Sequence, residues 1–307
     1  MTDMRLKLGR PKLARYGDRF DVPPALDGQV SVTFLGVATL LVRDGSSAFL
    51  TDGYFSRPGL LDVGLRRIAP EPSRIDACLE RAGITTLETV LPVHTHFDHA
   101  LDSAAVADRT GATLVGGSSA AEIGAGHGLP PERIRVAEPG RSMTFGSFEI
   151  TLVESAHCPP DRFPGVIDEP LTPPAKAAAY RCGEAWSVLV RHTSSLRLLI
   201  QGSAGYVEGA LAGQQADVVY LGVGQLGIQD EAYIETYWRE TVGTVGARRA
   251  VLIHWDDFFR PLDQPLRALP FAGDDLDVTM RVLSRLAEAD RVALGFPTVW
   301  QRENPWG

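Results

Sequence analysis

Short apolar runs separated by turn residues dominate the chain. "VSVTFLG" (30–36) alternates, "ATLLVRD" (38–44) is apolar, and "SAFLTDG" (47–53) ends in a turn signal. Three such runs in quick succession predict a β-meander. "IDACLERAG" (75–83) has helical spacing and a glycine stop, "TLETVLPV" reads as a strand, and "DHALDSAAVADRTG" (98–111) reads as a helix that opens on an acidic residue and closes at Gly111. The middle of the chain repeats the mixture: "ATLVGG" as strand, "SSAAEIGAG" as a short helix, and "FEITLVESAH" (148–157) as a strand ending in a histidine. "AWSVLVRH" and "LRLLIQG" predict a hairpin. "ADVVYLGVG" (216–224) follows as a buried strand, "DEAYIETYWRETVG" (230–243) as a helix and "RAVLIHW" (249–255) as a strand, before a last helix, "LDVTMRVLSRLAEA" (276–289). Strand clusters with interspersed helices point to an α+β or α/β class, with two sheets favoured over one.

Two segments depart from this pattern. Residues 1–28 are polar and end in "DVPPALDG", which suggests an N-terminal extension on the surface, leaving 29–307 as the main domain. Residues 158–181 carry six of the 21 prolines, which excludes a regular helix or a central strand. A loop of this length in a compact domain is usually functional or disordered.

Composition narrows the partners. The formal net charge of -8 argues against non-specific binding to nucleic acid or an anionic membrane surface. It leaves room for a small-molecule substrate held by a local cationic centre. The three cysteines, Cys78, Cys158 and Cys182, form no C-x-x-C pair, so a reducing compartment is expected. The basic start of the chain lacks an apolar signal region, and no run reaches the ~18 apolar residues of a membrane span. A cytoplasmic protein is the expectation, with its oligomeric state open.

The chemistry concentrates in "VLPVHTHFDHALD" (90–102), which sets His94, His96, Asp98 and His99 at the end of an apolar run. Clustered imidazoles repel when protonated and gain little unless a cation holds them neutral. His94 and His96 can meet one ion from a tight turn, while Asp98 and His99 point toward a second. Further ligands must come from distant strand ends, and His157 and His254 both follow apolar runs. His192, within a hairpin strand, and His127, in "GAGHG", read as ordinary structural residues.

These residues, with "LTDGYFSRP" (50–58) and "VLIHWDDFF", make the chain resemble the metallo-β-lactamase superfamily over roughly residues 30–300. The motifs are similar to those of its N-acylphosphatidylethanolamine phospholipase D-like and ascorbate-6-phosphate lactonase-like branch. The resemblance implies an α+β fold, an αββα sandwich of two mixed sheets flanked by helices, with the metals at one edge. It implies a first metal site of His94, His96 and His157 and a second of Asp98, His99 and His254. Asp52 would orient a ligand histidine from behind. Two departures stand out. Ser203, in "GSAG", occupies the place of an aspartate that bridges both metals in most hydrolases of the superfamily, and Val37, in "GVAT", replaces a non-ligand histidine. A hydroxyl binds zinc poorly, so the second site should be the weaker.

Zinc, as one or two ions, is the expected cofactor, with manganese or iron as alternatives. The expected activity is hydrolysis of a phosphodiester, lactone or related ester by metal-activated water, with Asp98 orienting the water and passing a proton. The alternatives are a metal-binding member that has lost catalysis, with Ser203 as the scar, and a β-lactam hydrolase. Arg162, Tyr206 and Trp255 are candidate substrate contacts, and Lys176 and Arg181 are further cations on the proline-rich loop.

Overall fold

The computed structural model describes residues 7–307, so the first six residues of the expected extension lie outside the described residues. The first sheet opens with the antiparallel meander β1 (Ser31–Phe34), β2 (Leu40–Arg43) and β3 (Ala48–Thr51). It continues through β4 (Thr89–Leu91), β5 (Thr113–Gly116) and β6 (Ile134–Val136), all parallel to β3. The second sheet starts with antiparallel β7 (Ser142–Phe145), β8 (Phe148–Ser155), β9 (Ala185–His192) and β10 (Arg197–Gln201). It ends with β11 (Val218–Gly222), β12 (Arg249–Ile253) and β13 (Ala293–Gly295), parallel to β10. A last strand, β14 (Arg302–Glu303), returns to the first sheet beside β1.

Burial of both sheet faces explains the continuous apolar runs. Along the first sheet, Leu40, Val42, Phe49, Leu91 and Val115 point into the layer between the sheets. Their neighbours Leu41, Leu50, Val90 and Leu114 point the other way, into a second cluster beneath the helices. The helices are α1 (Leu60–Leu65), α2 (Pro72–Ala82), α3 (Phe97–Ala100), α4 (Ser103–Thr110), α5 (Ser118–His127), α6 (Glu231–Trp238) and α7 (Leu276–Asp290). Ile75 and Leu79 of α2, Val106 of α4 and Ile123 of α5 fill that second cluster. Ile234 and Tyr237 of α6 and Met280 and Leu283 of α7 cover the other sheet. Four layers result, α-β-β-α, as the family resemblance implies.

Two differences from the sequence reading have clear causes. The helix expected over 98–111 is two helices, α3 and α4, because Asp102 is used elsewhere. Its buried carboxylate accepts the backbone N–H groups of Phe55 and Ser56 (2.8 and 2.6 Å) and the Ser56 hydroxyl (2.6 Å). The strand expected to run to His157 stops at Ser155, so that histidine stands on the following loop. Strands β6, β7, β13 and β14 and helix α1 were not anticipated, being too short for periodicity to register. Residues 7–28 run from the second sheet's edge to the first sheet's, where the Ala25 N–H donates to the Arg302 carbonyl of β14 at 2.9 Å. Phe20 stacks on Phe296, with ring centroids 5.2 Å apart, and meets Trp255 edge-on at 6.2 Å.

Candidate metal centre

The strand ends β3, β4 and β12 and the turns after β8 and β10 meet at one edge of the sandwich. His94 lies just beyond β4, and His96 stands at the start of α3, whose single turn carries Asp98 and His99. His94, His96 and His157 form one trio and Asp98, His99 and His254 another; within each, the donor atoms lie within 4.8 Å of one another. The trios touch, since the His94 and His99 ring centroids are 3.9 Å apart. All six side chains proposed from the sequence are therefore brought to one place.

Hydrogen bonds behind the rings assign the tautomers. His157 Nδ1 is 2.6 Å from the Cys158 carbonyl oxygen, so it carries the hydrogen and Nε2 keeps a lone pair. His96 Nε2 faces the Phe163 carbonyl oxygen (3.3 Å) and Asp161 Oδ1 (3.1 Å), which leaves the lone pair on Nδ1. His99 Nδ1 donates to Asp52 Oδ2 at 2.8 Å, freeing Nε2. The freed atoms point inward: His96 Nδ1 stands 3.1 Å from His94 Nε2, and His99 Nε2 stands 3.1 Å from His254 Nε2.

Electrostatics divides the trios. Burial, reinforced by the surrounding imidazoles, holds His94 well below the usual histidine range. Burial also lowers His96, and lowers His157 to about 4 with help from His96. Burial acts on His99 in the same sense but is outweighed by Asp52 and Asp98, which raise it. For Asp98, burial pushes upward, yet His99, His254 and His96 hold the carboxyl well below its ordinary value. Asp98 Oδ2 lies 3.7 Å from His99 Nε2 and 3.5 Å from His254 Nε2.

The second trio is braced from the core. Asp52, at φ 55°, follows β3, and its other oxygen accepts the Val93 N–H at 2.9 Å. His254, at φ 59°, donates its N–H to the Val37 carbonyl oxygen at 2.7 Å. Val37 is itself left-handed (φ 54°), a conformation that costs a β-branched residue on the order of 1–3 kcal/mol. It is held there because its N–H donates to Asp256 Oδ1 at 2.8 Å. The other Asp256 oxygen accepts from Arg57, a fully buried guanidinium. Gly36 precedes Val37, and any Cβ there would run into that guanidinium.

The departures and weaker candidates resolve as follows. The Ser203 hydroxyl accepts the N–H of Cys158 at 3.0 Å, so it supports the residue after His157. Gly205 is needed in the same turn because a Cβ would meet the Ala156 carbonyl. Trp255 does not reach the cleft. It is buried among Phe20, Phe34 and Phe296, because alternation along the chain turns it away from His254. Tyr206 is half-buried, 5.5 Å from the Tyr233 ring. Arg162, Lys176 and Arg181 are exposed, and Arg181 donates to the Val166 carbonyl. His192 lies elsewhere, against Asp44 (3.1 Å). Asp161, Phe163, Arg57 and Asp256 were not anticipated. Asp161 had one signal, its place four residues after His157, but its partner is set by how the loop folds back. Cys182 also approaches His96 and Asp161, and burial pushes its thiol up to about 12.

Comparison with known structures decides the fold. An isothiocyanate hydrolase from Delia radicum gut bacteria superposes with a TM-score of 0.54 at 14 % identity, over 89 % of this chain and 98 % of that one. The chain has the metallo-β-lactamase fold. CmlA, a diiron β-hydroxylase from Streptomyces venezuelae, matches this metallo-β-lactamase-fold protein with a TM-score of 0.54 at 13 % identity, over 91 % of this chain and 54 % of that one. At such identities the likeness speaks for the fold alone. In sequence, the metallo-β-lactamase-fold chain is 27 % identical over 139 residues to a UPF0173 metal-dependent hydrolase of Anaeromyxobacter sp. (strain K), covering 44 % of this chain and 45 % of that protein. The match thus spans about half the length of that relative. No family model matches the chain. None of its described helices is long and apolar enough to cross a membrane.

Proposed function

We propose that the protein is a metal-dependent hydrolase of a small-molecule ester, lactone or phosphodiester, with zinc as the ion. The observation that carries this reading is the convergence of six donor groups in two adjoining trios. His94 and His254 each leave Nδ1 buried without a partner, and their Nε2 atoms stand 3.1 Å from His96 Nδ1 and His99 Nε2, a spacing that one ion can span. Two nitrogens on one tetrahedral zinc stand about 3.3 Å apart, so the trios fit the ion. The donor set of five imidazoles and one carboxylate suits zinc, though a diiron protein shares the fold, and iron or manganese remain the alternatives. When bound, such ions lower the pKa of water and polarise the substrate oxygen.

The chain's own residues supply the rest. Asp98 stays a carboxylate beside both trios. It orients the attacking water and accepts its proton. The water oxygen bonds to the carbonyl carbon or phosphorus, the bond to the leaving oxygen breaks, and Asp98 returns the proton to that oxygen. Asp52 and Asp161 hold His99 and His96 in the tautomers that keep their lone pairs inward. A catalytically silent metal binder has Ser203 in its favour, since the hydroxyl serves the Cys158 N–H and no carboxylate ties the trios together. Metal counting on protein purified without chelator, beside turnover of lactone, ester and phosphodiester substrates, separates the readings. Bound ions with turnover that EDTA abolishes are expected; bound ions without turnover on any of the three classes would leave the binder.

A further inference from the structure

We propose that the part of the substrate away from the reacting bond is an uncharged aromatic or branched apolar group that lies against Phe163 or Phe258. This rests on the hydrolase reading and names the class of substrate for the same site. The Phe163 ring stands edge-on to the His96 ring, with centroids 6.1 Å apart, beside the first trio. The Phe258 ring stands edge-on to the His254 ring at 5.9 Å, beside the second. Both are half-buried. Both pack against the same apolar cluster as Phe97, the residue between His96 and Asp98. Phe97 lies 6.2 Å from Phe258 and 6.4 Å from Phe259. An aromatic ring therefore stands beside each trio.

The charged groups nearby point the same way. Arg57 is sealed in the core against Asp256. Arg260 Nε donates to the Pro265 carbonyl at 3.0 Å, and Arg181 to the Val166 carbonyl at 3.2 Å. The carboxylates that touch the trios are Asp98, Asp161 and Asp52. A phosphate or carboxylate tail is normally met by a guanidinium fork or an ammonium. The groups that touch His96 and His254, two aromatic rings and the Asp161 carboxylate, offer no such donor, and Arg162 between Asp161 and Phe163 is exposed; a phenyl or branched alkyl group gains apolar contact instead. Ester and lactone substrates without a phosphorylated tail are the class that fits.

Binding tests this without requiring turnover. Zinc-loaded protein is titrated calorimetrically with acetohydroxamic acid, benzohydroxamic acid and 4-carboxybenzohydroxamic acid, which share a zinc-binding head and differ in the tail. Benzohydroxamic acid should bind about tenfold or more tighter than acetohydroxamic acid, and the added carboxylate should weaken it. In the Phe163→Ala/Phe258→Ala double variant, with an unchanged bound-metal count confirming the fold, the phenyl-to-methyl ratio should approach one. Equal affinities in the wild type, a ratio that survives the double substitution, or tighter binding of the carboxylated probe would each overturn the proposal. If the phenyl preference holds while no ester, lactone or phosphodiester is turned over, the hydrolase reading fails and the apolar subsite stands.

Discussion

The two trios sit side by side yet are held by different parts of the molecule. His94, His96 and His157 are all imidazole, and their outer nitrogens lean on a loop: His157 on the Cys158 carbonyl, and His96 on Phe163 and Asp161. Asp98, His99 and His254 lean on the core, through the buried carboxylate of Asp52 and the chain from His254 to Val37, Asp256 and Arg57. The first trio has a full set of neutral ligands on a surface-borne support. The second lacks the bridging carboxylate but is fixed by strained backbone at Val37 and His254, tied through hydrogen bonds to each other and to Asp256. Ligand count and rigidity are thus separate properties, and here each trio has one of them.

The largest expected effect breaks the first trio. His96→Ala should remove the ion held with His94 and His157 and lower turnover by more than the ~100-fold typical of a supporting residue. Metal counting after dialysis, with assay on the best ester found, checks it; a fully retained first ion would mean that His96 is not a ligand. Next is the core brace. Asp52→Asn should weaken the second ion about 10–100-fold while leaving the first in place, because it weakens the hold on His99 Nδ1–H. Competition with a chelating dye reads the two affinities separately, and equal weakening of both would erase the contrast drawn above.

Smaller effects sharpen the contrast. Ser203→Asp should tighten the second ion by about 1.4 kcal/mol or more, a factor of ten, by restoring a carboxylate between the trios. Equal zinc retention by wild type and variant would show that rigidity already compensates for the missing charge. The subtlest test is proton titration of the chelator-treated protein by histidine NMR. His99 should titrate above the ordinary value and His157 near about 4. The signs for stability are opposite. A raised His99 contributes stability that is present below its unfolded pKa of about 6.5 and is lost as pH rises through the folded value. A depressed His157 contributes the reverse: stability present above about 6.5 is lost as pH falls through about 4. His157→Asn should therefore flatten the acid limb of the stability curve and leave the His99 limb, measured by denaturant melts across pH.

Legibility followed the distance over which information travels. H-x-H-x-D-H is a local device: one tight turn and one helical turn carry four donors, so His94, His96, Asp98 and His99 were readable from spacing alone. His157 and His254 could be nominated because each follows an apolar run, and α2, α7, the meander and the hairpin followed from periodicity. Trp255 shows the limit. Its place next to His254 suggested the cleft, but the direction a side chain takes after a strand depends on what packs beneath it, here Phe20 from far upstream.

The sequence by itself determined two sheets with interspersed helices and nominated the six side chains, because burial patterning and local ligand spacing are written in neighbouring residues; the sandwich and its metal-bearing edge were what the family resemblance implied. Tertiary structure alone decided what stands behind those side chains. That Asp161 faces His96, that Ser203 holds the Cys158 N–H, that Arg57 is buried against Asp256 beneath Val37, and that Phe163 and Phe258 flank the trios all depend on contacts between distant segments. Such contacts arise only when the loops close over a finished core, and no local pattern of residues encodes which partner each will find.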